Sequence, residues 1–250
     1  MNKVSLNISC MKNLRPRRFI GLLLAALLAG CRAAHNIPPQ VQDFGPTYHP
    51  SNVYRSSSWL PVEVRRVAVL PLTTTITSAP FLEAGVDTLE PLVYAELEKA
   101  KRFEVIPVTP KQMKEWTGAN GVRADEVLPH DLFKRIGAAT ACDAILFCQL
   151  TRYQPYPPLA VGWKFSLIEN PKVIATGVQV QPEIIWSVDE VLDAGDQSVA
   201  TGARVYYSQH LHNEAPSADP ATMLSSPTRF GQYTLAALLA TLPEPAAAKH

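Results

Sequence analysis

The 250-residue chain has no C-x-x-C pair, no G-x-S-x-G, no H-E-x-x-H, no glycine-rich phosphate loop and no apolar run long enough to remain in a membrane as a helix. Each absence removes a class of function. The common hydrolase signatures are missing, a nucleotide phosphate has no cradle, and a dithiol redox centre lacks its motif. Cysteine is scarce as well. Of four, Cys10 precedes the opening apolar segment and Cys31 closes it, which leaves Cys142 and Cys148. These two flank "DAILF", a strand that would hold them close to 20 Å apart at about 3.3 Å per residue, whereas a disulfide needs Cα atoms within about 7 Å. Both are read as buried thiols. An excess of charge of either sign is lacking too: 23 Lys and Arg stand against 22 Asp and Glu. After residue 30 the balance is eighteen against twenty-two, which weighs against nucleic acid as a partner and against electrostatic docking on anionic lipid.

What the chain does have is "RPRRFIGLLLAALLAGC", residues 15–31. The uncharged run 19–29 would reach about 16 Å as a helix, against a hydrocarbon core of about 30 Å. Lys12, Arg15, Arg17 and Arg18 precede it with no acidic residue, so the segment has the basic flank, apolar centre and small-residue end of an export signal. Met11 serves as a start as well as Met1 does. The signal ends with Leu28, Ala29 and Gly30 running into Cys31, which resembles the lipobox of bacterial lipoprotein precursors. That resemblance implies cleavage between Gly30 and Cys31 and acylation of Cys31. Two or more acyl chains anchor a protein stably where one binds only marginally.

The expected organisation is a signal peptide over 1–30, a lipidated Cys31 with a Pro- and Ser-rich tether to residue 64, one α/β domain over 65–242, and a disordered tail over 243–250. Phe44, Tyr48, Tyr54 and Trp59 in the tether either pack along the domain or form a docking strip. "RRVAVLPL" (65–72) reads as a buried strand. Val86, Leu89, Val93, Leu97 and Ala100 mark one helix face, with Asp87 as N-cap and Pro91 in the first turn or at a kink. "RFEVIPVTP" (102–110) is a second strand. Thr109 and Pro110 open a short helix closed by Gly118, and Asp131 caps another carrying Leu132, Phe133 and Ile136. "DAILFCQL" (143–150) is a continuous apolar strand, as parallel pairing through crossover helices requires. Then "AVGWKFSLIE" (160–169) alternates like a half-buried strand, followed by strands at "KVIATGVQV" (172–180) and "EIIWSV" (183–188). Asp196 caps a helix through Tyr207, and Ser226 with Pro227 opens the last one. The sheet should be parallel in its first half and antiparallel in its second, in two or three layers.

This order, with "VAVLPL" opening the domain and "GAATACDAILFCQL" before the antiparallel half, resembles a group of envelope lipoproteins. That group includes the curli secretion lipoprotein CsgG, the penicillin-binding-protein activator LpoB and the N-terminal domain of TolB. "IIWSVDEVLDAGDQSVATGARVYY" looks like an uncharacterised lipoprotein branch of it. The resemblance implies a non-enzymatic module, at the outer membrane and facing the periplasm, that binds another envelope protein or forms a homo-oligomer. It implies no catalytic residue. A channel subunit is the alternative, disfavoured because four membrane-crossing strands and their turns take roughly fifty residues beyond the soluble fold.

Three candidate sites follow from the residues themselves. Tyr153, Tyr156 and Trp163, in "TRYQPYPPLAVGW", are aromatic anchors around a proline-stiffened loop and are read as partner-binding; the competing reading is a self-packed loop over a sheet edge. Asp189, Glu190, Asp193 and Asp196 are dense enough for calcium but lack the alternating loop spacing, and capping explains them equally. His210 and His212 lack a third zinc ligand. No metal, cofactor or catalytic residue is therefore expected; a metal-dependent enzyme using Asp193 or His210 is the remote alternative.

Overall fold

In this computed structural model, residues 48–75, 80–129, 131–170, 182–211 and 219–246 are described. The first buried strand of the sequence lies at the middle of the parallel half. β2 (Arg66–Val69) pairs in parallel with β4 (Glu104–Pro107) on one side and β5 (Ala144–Gln154) on the other. β3 (Thr73–Thr74) extends this parallel pairing along β5. The direction then reverses: β5, β6 (Ala160–Glu169), β7 (Ile184–Asp193) and β1 (Val53–Arg55) are successive antiparallel neighbours. The order is β1-β7-β6-β5-β2-β4, with β3 beside β5.

Helices cover both faces, which settles the layering as three. On one face lie α1 (Pro80–Ala100), α4 (Gln197–Tyr206) and α5 (Pro227–Leu239), packed on the larger core. On the other lie α2 (Pro110–Thr117) and α3 (Leu132–Thr140), over Ile145, Phe147 and Ile168. The centre of the larger core is an aromatic stack, Trp163 on Phe165 at 5.5 Å and Phe165 on Trp186 at 6.2 Å. Both indoles are wholly buried, and burying each large apolar side chain contributes about 1.5–3 kcal/mol. Their N–H groups are not stranded: Trp163 donates to Thr234 at 2.9 Å and Trp186 to Thr241 at 3.0 Å.

Local chemistry accounts for several of the helix ends. Thr109 accepts from the Gln112 N–H while Gln112 accepts from the Thr109 N–H, a reciprocal cap, and Gly118 closes α2 at φ 83. Asp196 accepts from Ser198 N–H at the start of α4, and Ser226 accepts from Arg229 N–H at the start of α5. Asp131 differs from expectation. It stands at the N-cap of α3 without capping it, because its carboxylate is bonded by Arg135 at 2.7 Å. Asp87 is not an N-cap either: α1 begins at Pro80, and Pro91 sits in its interior. Pro91 lies on the exposed face, so the hydrogen bond it cannot donate is lost at the solvent side of the helix.

Three further expectations are corrected. Residues 48–64 are not tether: β1 is an edge strand, Leu60 and Val64 are buried, and Tyr48 and Val53 pack on the core. The tail is tied down at Glu244, which bridges to Trp59, accepts from Leu60 N–H and pairs with Arg102. β6 is buried on both faces, because Ala160, Gly162 and Ser166 are small enough to be covered. The strand expected over 172–180 lies outside the described residues. Cys142 and Cys148 are both free and buried.

Candidate functional site

β5 and β6 form a long hairpin whose connection, residues 155–159, projects from the sheet at the end where α1 begins. Gln154 donates from its side-chain amide to the Pro158 carbonyl at 2.6 Å, crossing the loop. Leu159 is buried, and its carbonyl accepts from Ala194 N–H at 2.7 Å. Asp193 accepts from Gly195 N–H at 2.8 Å and pairs with Arg152 at 3.6 Å. The loop is thereby sewn to the turn between β7 and α4. Tyr156, at its tip, remains 69% exposed. An aromatic ring fixed on such a loop presents contact area at low entropic cost.

The three aromatic residues anticipated as one binding group are separated. Tyr153 is half-buried and lies over α1 where residue 85 is glycine; a Cβ there would stand 2.7 Å from the Tyr153 ring and from a Leu150 methyl. Trp163 is in the core, bonded to Thr234, and offers nothing to a partner. In its place the fold supplies Phe81, one helical turn before Gly85 and 62% exposed. Phe81 was hidden by the late start assigned to α1. Pro80, which suits the first helical position, was the available signal.

The acidic run is strand as far as Asp193, and the carboxylates of Glu190, Asp193 and Asp196 are engaged in holding the fold. Glu190 accepts from the Tyr48 hydroxyl at 3.0 Å, from Ser51 N–H at 3.0 Å and from Asn52 N–H at 2.9 Å. Asp196 caps α4, and the bonds it accepts from the Ser198 hydroxyl and then from the Ser198 N–H hold its carboxyl below the usual carboxylate range. His210 stacks on Tyr206 at 4.5 Å, with Nδ1 3.2 Å from the Tyr206 carbonyl. His212, Gly30 and Cys31 lie outside the described residues. Among the described residues no group of three or more His, Cys, Asp or Glu is placed to hold a metal, and no helix is long and apolar enough to cross a membrane.

A concavity of about 620 Å³ opens beyond the end of β2 between α1 and the segment 119–126. Glu83, Asp87 and Glu90 line it from one side of α1, with Arg123 opposite. Glu90 accepts from Leu72 N–H at 2.9 Å, and Arg123 is paired with Asp125 and Glu126.

No protein-family model and no curated protein matches the chain. Among solved structures it is similar to the PelC dodecamer from Paraburkholderia phytofirmans, at 14% identity over 77% of this chain and 97% of that one, with a TM-score of 0.38. It is similar also to lipoprotein GNA1162 from Neisseria meningitidis, at 17% identity over 62% and 99% with a TM-score of 0.30. A third likeness is to hypothetical protein CT253 from Chlamydia trachomatis, at 13% identity over 70% and 93% with a TM-score of 0.39. Likenesses this slight carry no argument about function. None of them shows the CsgG, LpoB and TolB group.

Proposed function

We propose that this chain is an envelope lipoprotein, anchored through acylated Cys31, whose α/β domain is a non-enzymatic docking module for another envelope protein in biogenesis or export. The sequence supports the anchor: a basic then apolar segment too short to span, ending in Leu-Ala-Gly-Cys. The observation that carries the docking reading is Tyr156, held exposed on a loop bonded at both ends, with Phe81 exposed at the neighbouring start of α1. By resemblance the membrane is the outer one; Arg32 follows the cysteine where an aspartate, in some bacteria, retains lipoproteins at the inner membrane.

The fold also shortens the tether. With residues 48–64 built into the domain, sixteen residues (32–47) separate Cys31 from Tyr48, and covalent geometry limits them to about 55 Å. Tyr48, where the chain enters the domain, must lie within that reach of the lipid surface.

The test is site-specific photocrosslinking in cells, with the reactive residue at Tyr156, at Phe81 and, as a control elsewhere, at the fully exposed Val127. The same discrete adduct is expected from Tyr156 and Phe81, absent from Val127 and lost in Cys31→Ala. An identical pattern from all three positions, or adducts indifferent to Cys31, would sink the proposal.

A further inference from the structure

The outer edge of β7 is closed by very little. β1 contributes three residues, opposite Trp186, Ser187 and Val188. Beyond them the ladder continues only by Asp189 N–H to the Asn52 carbonyl at 3.1 Å and Ser56 N–H to the Ile185 carbonyl at 3.0 Å. Ser51, Asn52, Tyr54 and Arg55 are exposed, and of β1 only Val53 packs on the core. So short an edge strand, with its backbone bonds near solvent, belongs to the part of a fold that opens locally at low cost.

Side-chain bonds from Asn52 to the Asp189 carbonyl at 2.9 Å and from Ser56 to the Ile185 carbonyl at 3.3 Å add to this ladder, and the chief fastening of the segment is one carboxylate. Glu190, on β7, gathers the Tyr48 hydroxyl and the successive N–H groups of Ser51 and Asn52, with the Ser51 hydroxyl at 3.3 Å. Bonds to a charged acceptor are about twice as strong as neutral ones. Removing them takes the fastening from the end at which the chain enters the domain.

We propose that residues 48–56 are a releasable strap latched by Glu190, and that the edge of β7 it uncovers takes an extended strand of a partner polypeptide. The strap shows what this edge accepts: an antiparallel segment with a β-branched residue turned to the core between two outward residues, preceded by two N–H groups for the carboxylate. Strand addition of this kind draws affinity from backbone bonds and specificity from alternate side chains. The proposal deepens the docking reading and rests on it for the partner; release of the strap is read without it. Because residues 32–47 join Cys31 to the strap, a pull on an anchored chain acts on the latch before it acts on the sheet.

Hydrogen exchange on the full chain tests release. In Glu190→Gln, the amides of Ser51, Asn52, Tyr54 and Ser56 on the strap, and of Ser187 and Asp189 on β7, should exchange at least tenfold faster than in wild type, with β5 and β6 unchanged. Should that variant fail to fold, Tyr48→Phe removes one latch bond and is judged by the same regions. Strap amides as slow as those of β5 in both wild type and variant would overturn release.

Strand addition is tested with a fluorescent synthetic peptide of residues 48–57. A Tyr54→Cys, Ser187→Cys pair, facing in register, locks the strap when oxidised. Binding to wild type and to the reduced pair, falling at least tenfold on oxidation, supports the proposal; binding equal in both states, or none to wild type, overturns it. Neither result depends on the Tyr156 crosslink, so the two readings fail separately.

Discussion

The sheet has two margins, and they are closed by different chemistry. At one margin β4 lies parallel to β2 over four registered pairs, and its last residue is Pro107. Glu104 N–H and Val108 N–H both point back toward β2, so alternation turns position 107 outward, where an imino acid has no hydrogen to offer. At the other margin β7 is covered by a three-residue strand held by the Glu190 carboxylate. A proline closes an edge permanently, whereas a hydrogen-bonded strap closes it subject to equilibrium. The difference marks the β7 side as the margin at which pairing can be exchanged.

The largest effect should come from erasing both margins together. Trp163→Ala empties one end of the aromatic stack at the centre of the larger core, and such truncations cost about 3–5 kcal/mol; urea unfolding should show β4 and the strap lost in one transition. Thr234→Val is a milder blow to the same place. It leaves the Trp163 N–H without its acceptor in a dry core, at about 1–3 kcal/mol, and should lower the urea midpoint without changing the slope.

Pro107→Ala tests the comparison from the other side. Global stability should stay within about 0.5 kcal/mol, because the residue is on the edge. A donor regained there makes that margin adhesive, so sedimentation should show more concentration-dependent association than wild type. No change in association would remove the contrast between the margins.

How much of this was legible depended on how local the cause is. The caps at Thr109, Asp196 and Ser226 and the left-handed Gly118 are set by residues within four positions, and the sequence shows them. Continuous apolar β5 likewise announced parallel pairing on one side. The strap did not show, since its pairing depends on Glu190, 138 residues beyond Asn52, and "SNVYRSS" has no alternation to betray a strand. Pro91 misled because proline usually opens helices; on the exposed face of a 21-residue helix packed by Leu89, Val93 and Leu97 it is outvoted by burial. At the site, the exposure of Tyr156 was legible from its prolines. The burial of Trp163 was not, because the residue that accepts its N–H, Thr234, is 71 positions away.

The smallest expected effect is a titration of the latch. Burial first, and then the hydrogen bond to Glu190, push the Tyr48 hydroxyl up from 10.0 to about 12. An acid whose pKa is raised on folding favours the folded form fully below its unfolded value, and this support is lost as pH climbs through the folded one. The strap should therefore be firm up to about pH 10 and loosen toward pH 12, as tyrosinate and carboxylate come to face each other. A nitroxide on Arg55→Cys, at an exposed position of β1, reports this as a narrowing of its resonance lines over that interval. In Tyr48→Phe the lines should be somewhat narrower at neutral pH and should not change between 10 and 12. If both proteins narrow alike, the loosening belongs to the sheet at large, and the strap has no latch of its own at Tyr48.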